Sequence, residues 1–240
     1  MAKQCANMEQ IAIKKLTGRA AVDALVKNGM KLGLGTGSTA IHAVYQVGAL
    51  LKEGALRDIR VVPTSFQTMI ACEELGVPLF SLNSPEIAGR LDLTIDGADE
   101  VDRENRCVKG GGGALLLEKI VAYNSAAYAI VIDEAKRVEH LGLAFPLPLE
   151  IIPEARIPIT QALERLGAAV ALRLAVAKAG PVITEHGNLL LDIRFTAAVD
   201  VCAFEDTLNR IPGVVENGFF TKLRPTVFIG HADGSVEARA

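Results

Sequence analysis

The sequence predicts an α/β protein: a mainly parallel sheet domain followed by a second, smaller α+β unit. Three observations carry that prediction. From residue 20 to about 132, short β-like runs alternate with helical patterns, the signature of βαβ units. Glycine-rich turns stand at strand-to-helix junctions, at 33–39 and 110–113. Past His140 the character changes, with Pro146, Pro148, Pro153 and Pro158 punctuating the chain.

Element by element, the segment 31–35 reads as a strand and 38–52 as a helix with Ile41, Val44, Tyr45 and Leu51 among its apolar positions. A strand over 59–62, a helix over 65–75 and a strand over 91–95 follow. A polar loop and the glycine run lead into a helix over 114–125 and a strand over 128–132. The proline stretch reads as a linker or an irregular edge segment, because proline cannot donate to a sheet ladder. Beyond it, a helix (159–166), a strand (169–174), a hairpin turn (185–188), a strand (189–195), a helix (204–210) and a strand (214–219) suggest a split βαβ sandwich. The last apolar run, 226–230, is expected to return to the first sheet as an added strand.

Composition narrows the function. The 240 residues are half hydrophobic, enough for a full core without staples. With 25 Lys+Arg against 28 Asp+Glu the net charge is −3, so no basic field exists to hold a nucleic-acid backbone, and any bound anion should be small. No apolar run approaches the roughly 18 residues of a membrane helix. The first fifteen residues lack the apolar core of a secretory signal, and the expected compartment is the cytoplasm. Cys5, Cys72, Cys107 and Cys202 are too far apart for a zinc or redox motif and read as reduced, buried thiols. His42, His140, His186 and His231 have no ligand-like spacing.

Four segments could carry chemistry. The first, Gly33 to Thr39 (GLGTGST), joins a strand to a helix, where free backbone N–H groups and the helix dipole favour an anion. It is neither a dinucleotide fingerprint nor a Walker loop. Ser38 stands in place of the third glycine, the next strand ends in Val62-Pro63-Thr64 with no acid for a ribose, and no lysine follows the glycines. The alternative is a tight turn with Ser38 as N-cap.

The second segment, Asp96-Gly97-Ala98-Asp99-Glu100, sets carboxylates at the carboxyl edge of the sheet, where α/β proteins bind ligands. Its spacing does not fit a calcium loop; the alternatives are a magnesium site and a solvated acidic loop. In the third, Lys109 precedes four consecutive glycines, costly in entropy unless the chain needs unusual dihedrals or a close ligand. On the helix that follows, Glu118 has Ala114, Leu115, Val121 and Ala122 as neighbours, so its carboxylate should be desolvated and its pKa raised, as proton abstraction beside a carbonyl requires. Lys119 also has apolar neighbours, so a wholly buried, structural helix is the alternative. Finally, Lys136 follows the strand 128–132 and would stand on the same sheet edge as Asp96.

The ordered set GTGSTA, DGADE, KGGGGALLLEK and DEAK resembles ribose-5-phosphate isomerase of type A. Agreement extends through TSFQT (64–68), GLAFPLPLEIIP (142–153), Gly187-Asn188 and NRIPGVVENGFF (209–220), and covers nearly the whole chain. The resemblance implies a Rossmann-like catalytic domain formed by 1–143 plus 221–240, a ferredoxin-like domain over 144–220, and a homodimer or homotetramer. It implies a metal-free, cofactor-free aldose-ketose isomerase acting on a sugar phosphate through an enediolate. Glu118 is then the base, and Asp96, Asp99 and Lys109 hold sugar hydroxyls and assist ring opening and oxyanion stabilisation. Thr36, Gly37, Ser38, Thr39, Gly97, Ala98, Gly110, Gly111, Gly112 and Lys136 match substrate-binding positions; Lys14 or Lys15 matches a lysine directed at the phosphate.

Gly113 and His186 depart from the family's usual residues, at positions without a catalytic role. Two rivals share related folds. A sugar-phosphate sensor needs a DNA-binding domain that the first 29 residues cannot supply. A lactonase or amino-sugar phosphate deaminase calls for a histidine at the reacting centre, and none lies between Asp96 and Glu118.

Overall fold

The computed structural model describes residues 2–240, with side chains from Met8 onward. In chain order the elements are α1 (Ala2–Leu25), β1 (Lys31–Leu34), α2 (Ile41–Lys52), β2 (Arg60–Pro63), α3 (Phe66–Leu75), β3 (Leu91–Gly97), β4 (Glu100–Val101), β5 (Cys107–Val108), α4 (Leu115–Tyr123) and β6 (Ser125–Asp133). There follow β7 (Leu147–Ile151), α5 (Arg156–Arg165), β8 (Ala169–Leu172), β9 (Leu189–Arg194), α6 (Val201–Leu208), β10 (Val214–Asn217), β11 (Phe219–Phe220), β12 (Thr226–Gly230) and β13 (Val236–Arg239). The chain divides into two compact units, one of Met1–Gly97, Leu117–Lys136 and Arg224–Ala240, the other of Ala98–Leu116 and Arg137–Leu223.

The first unit is built on a six-stranded sheet of order β13-β12-β6-β3-β1-β2, parallel except for β13. This is the Rossmann-like α/β sheet expected, with 226–230 returning as β12 beside β6. Strands buried on both faces explain the near-continuous apolar runs. Leu32, Leu34, Ile95, Ala129 and Val131 pack with Ala43, Val44 and Val47 of α2 and Ala21 and Val22 of α1. Each fully buried Leu, Ile or Val contributes about 1.5–3 kcal/mol. At the β2 edge, the outward backbone of Val61 pairs with the chain at 78–80: its N–H donates to Pro78 and its carbonyl accepts from Phe80. Helix α3 is capped by Ser65, whose hydroxyl accepts from the Thr68 N–H. Helix α2 starts at Ile41, later than expected, because 38–40 form a turn and no side chain caps it.

The second unit has a four-stranded antiparallel sheet of order β10-β7-β9-β8, crossed by α5 and α6. In order of appearance the strands are arranged 4-1-3-2, the ferredoxin-like, split βαβ order. Its core joins Leu147, Leu149 and Ile151 to Ile159, Leu163, Leu191, Ile193 and Leu208. A three-stranded ladder, β11-β5-β4, lies in the same unit and replaces the polar loop expected after Asp96.

The proline-rich segment is the main correction to the sequence reading. It is neither linker nor edge: β7 lies between β10 and β9 and is buried throughout. Pro148 is tolerated because its missing N–H faces Gly218, beyond the last residue of β10. The Gly218 N–H donates to the Pro148 carbonyl at 2.8 Å, and the Gly218 carbonyl, to which Pro148 cannot donate, accepts instead from the Lys109 N–H at 2.9 Å. A Cβ at Gly218 would lie 2.4 Å from the Lys109 carbonyl oxygen and 2.8 Å from the Pro148 ring. Only glycine lets the three segments approach so closely.

Candidate active site

In the first unit the candidate residues gather where strand order reverses, at the carboxyl ends of β1 and β3. Such a switch point opens the crevice in which α/β sheets bind ligands. Asp96, expected just past its strand, is the penultimate residue of β3 and fully buried. Its Oδ1 accepts from the Thr36 N–H at 3.0 Å and from the Gly97 N–H at 2.7 Å. A Cβ at Gly35 would fall 1.9 Å from that oxygen and 2.5 Å from the Asp96 Cα, so the glycine serves close approach to Asp96.

Hydroxyls that the sequence reading did not place hold Thr36 from the other side. Its Oγ1 donates to Ser65 Oγ at 2.6 Å and lies 2.8 Å from Thr64 Oγ1, and the Thr68 hydroxyl donates to the Gly35 carbonyl at 2.7 Å. The Gly37 N–H donates to the Gln67 side-chain oxygen at 3.0 Å. A Thr/Ser cluster at the start of α3 was the available signal. Thr39 is buried and Ser38 exposed. Lys14 Nζ donates to Ser38 Oγ at 2.9 Å, while Lys15 on the same helix is exposed; of the two lysines, Lys14 is the one that meets the glycine-rich loop.

Glu118 lies in the first turn of α4, buried at 4% exposure as its apolar neighbours predict, and Lys119 beside it is equally buried. Lys136 ends a 3₁₀ turn directly after β6. Its strand pairs in parallel with β3, Asp96 facing Ile130, so Lys136 stands at the sheet's carboxyl edge as expected.

The other candidate residues lie in the second unit. Asp99 leads into β4, and its Oδ2 accepts from the Gly111 N–H at 2.7 Å, which joins the acidic loop to the glycine run. Lys109 follows β5 and is 2% exposed, the largest of the fully buried side chains. Its Nζ lies 5.5 Å from the centre of the Phe220 ring, within cation–π range. The four histidines take no part in these clusters: His186 and His140 are exposed, His42 packs edge-on to Tyr45, and His231 pairs with Glu134 and Glu237. Cys72 and Cys107 are buried; burial pushes the Cys72 thiol up to about 12, which keeps it inert. Cys202 is exposed, contrary to the expectation of burial, and the Cys5 side chain lies outside the described residues.

The fold and these clusters define a class: an α/β enzyme with a glycine- and hydroxyl-lined loop at the carboxyl edge of its parallel sheet, beside the buried carboxylate of Asp96. The chain belongs to the family of ribose 5-phosphate isomerase A (phosphoriboisomerase A), whose model matches residues 60–234. The ribose-5-phosphate isomerase A of Treponema denticola is 52% identical over 237 residues, covering 96% of this chain and 99% of the relative; that of Treponema pallidum is 50% identical, covering 97% and 94%. Among solved structures, a D-ribose-5-phosphate isomerase in complex with phospho-erythronic acid superposes with a TM-score of 0.90 at 38% identity, over 95% of this chain and 97% of that one. The Plasmodium falciparum ribose 5-phosphate isomerase gives 0.90 at 33% identity, over 95% and 98%.

Proposed function

We propose that the chain interconverts D-ribose 5-phosphate and D-ribulose 5-phosphate, within the pentose phosphate pathway, by moving a proton between C2 and C1 through an enediolate. The observation that carries this reading is the 52% identity, across nearly the full length of both chains, to a protein named for that isomerisation. Buried Glu118 is the general base. It takes the C2 proton of the open-chain aldose, negative charge moves to O1, and the proton returns to C1 as the C2 oxygen becomes the ketone. A positioned base of this kind contributes on the order of 10²–10⁴ in rate.

The rest comes from charge stabilisation. Asp96, Asp99 and Lys109 hold the sugar hydroxyls, assist ring opening and move protons at O1 and O2, and Lys109 offsets the enediolate charge. Thr36, Gly37, Ser38 and Thr39 with Gly97, Ala98, Gly110, Gly111, Gly112 and Lys136 bind the substrate, and Lys14 takes the phosphate. The binding of phospho-erythronic acid to a structural neighbour supports a phosphorylated sugar acid or sugar as the ligand class. No metal or cofactor enters these steps. The catalytic domain is proposed as 1–143 plus 221–240, since it then holds every residue given a role, with 144–220 as the smaller domain. A cytoplasmic homodimer or homotetramer is the proposed state; no helix among the described residues is long and apolar enough to cross a membrane.

The test is conversion of ribose 5-phosphate by the purified chain in EDTA, beside Glu118→Gln. The wild type should turn over, and the variant should lose about 10² or more in kcat with KM little changed. Near-normal turnover in Glu118→Gln would remove Glu118 as the base.

A further inference from the structure

Arg173 follows β8 in the second unit, away from every motif that carries the family resemblance. Its guanidinium makes a two-point pair with Asp192 of β9, Nε to Oδ2 at 3.0 Å and Nη2 to Oδ1 at 2.5 Å. Its remaining nitrogen, Nη1, donates to the carbonyls of Gly110 and Gly111, at 2.9 and 3.2 Å. The side chains of Arg173 and Asp192 are 15% and 23% exposed, so the pair is little screened by solvent.

A peptide group is planar, with its carbonyl and N–H pointing in opposite directions. Arg173 at the Gly110 carbonyl and Asp99 at the Gly111 N–H therefore grip one peptide plane from its two ends. The same nitrogen at the Gly111 carbonyl fixes the next plane, and so aims the Gly112 N–H away from Arg173. Glycines resist such fixing more than other residues, because their backbones lose the most freedom. A cation at the carbonyl also polarises the peptide and strengthens the hydrogen bond made by its N–H.

We propose that Arg173, oriented by Asp192, is a positioning residue for the isomerisation: it sets the two peptide planes of the Gly110–Gly112 loop so that Asp99 and the loop N–H groups meet the sugar in one fixed geometry. This rests on the isomerase reading above. Lysine cannot replace it, because a single ammonium cannot make the planar two-point pair and reach both carbonyls.

The experiment compares wild type, Arg173→Met, Arg173→Lys and Asp192→Asn in ribose 5-phosphate kinetics, with thermal melting and hydrogen exchange of the Gly111 amide measured without substrate. Loss of positioning at the reacting centre costs on the order of 10²-fold in rate. Arg173→Met should therefore lower kcat by about that factor, with KM changed by about threefold or less, and should speed Gly111 exchange. Asp192→Asn should fall between, and Arg173→Lys should stay close to Arg173→Met. Added guanidinium ion should restore part of the Arg173→Met turnover, which a merely structural loss would not allow. Unchanged Gly111 exchange, or a kcat loss that tracks the melting temperature and resists guanidinium, overturns the proposal. A wild type that does not turn over the sugar phosphate sinks the isomerase reading instead, and the exchange measurement still tests the clamp.

Discussion

Gly218→Ala tests how the backbone of Lys109 is placed. The added Cβ would lie 2.4 Å from the Lys109 carbonyl oxygen and 2.8 Å from the Pro148 ring, whereas ordinary contact begins at 3.4 Å. The Lys109 backbone, or the chain carrying residue 218, must therefore retreat by about 1 Å, since neither obstacle is the end of a flexible side chain. Overpacking of this kind costs about 1–3 kcal/mol. The retreat also weakens the hydrogen bonds from Lys109 to Gly218 and from Gly218 to Pro148, each contributing about 1 kcal/mol. A total of about 2–4 kcal/mol lowers Tm by roughly 5–15 °C in a chain of this size.

Displacing Lys109 by about 1 Å should lower kcat on the order of 10²-fold even well below Tm. The assay is thermal melting by circular dichroism, with isomerase kinetics at 20–25 °C or so, chosen below both melting points. Gly234→Ala is the control, because Gly234 also resists substitution (φ +84°) but has open space around it, so only stability should fall. A Gly218→Ala protein that melts within about 1 °C of wild type and keeps its turnover refutes the packing argument.

Gly35→Ala should be worse for activity than for folding yield: its Cβ would strike Asp96 at Oδ1 and Cα, and the hydrogen bond from Thr36 to that carboxylate, contributing about 1.5–3 kcal/mol, should be lost, which kinetics and urea titration together will show. Lys14→Met should raise KM for the phosphorylated substrate about tenfold or more, while Lys15→Met leaves it within about twofold, because only Lys14 reaches Ser38; equal effects would reverse the assignment. The His231 imidazolium, hydrogen-bonded to the Glu134 carboxylate and close to Glu237, has its pKa raised above the usual 6.5. Its contribution to stability is present below pH 6.5 and lost as pH rises through the folded-state value. Titration of the ring by NMR should therefore give a midpoint above 6.5 for His231 and below it for His42, where burial and then Lys15, Lys14 and Arg19 lower the pKa.

The parallel sheet was legible because its strands are continuous apolar runs set between helical patterns, and the place of Asp96, Glu118 and Lys136 followed from which strand or helix each adjoins. What could not be read is what depends on partners far along the chain. Pro148 looks like a breaker until Gly218 and Lys109, 70 and 39 positions away, are seen to serve its vacant donor site. The two-residue strands β4 and β5 are too short to show a period. Arg173 has no local feature that points to Gly110, 63 residues distant. Between Lys14 and Lys15 the choice turned on which face of α1 looks toward Ser38, and a weakly amphipathic helix does not reveal that in its sequence.

Both borders of the six-stranded sheet also carry features that disfavour self-extension. An edge strand with unpaired backbone groups is a template for another chain, and parallel sheets are at greatest risk while they assemble slowly. At one border the outward-facing groups of β2 are those of Val61, already bonded to Pro78 and Phe80, and of Pro63, which has no N–H to offer. At the other, antiparallel β13 covers β12 and carries Glu237 and Arg239, charges that disfavour a further strand. Loss of β13 would uncover the wholly apolar stretch Val227-Phe228-Ile229, and aggregation of the shortened chain, rather than inactivity, is the outcome that this border guards against.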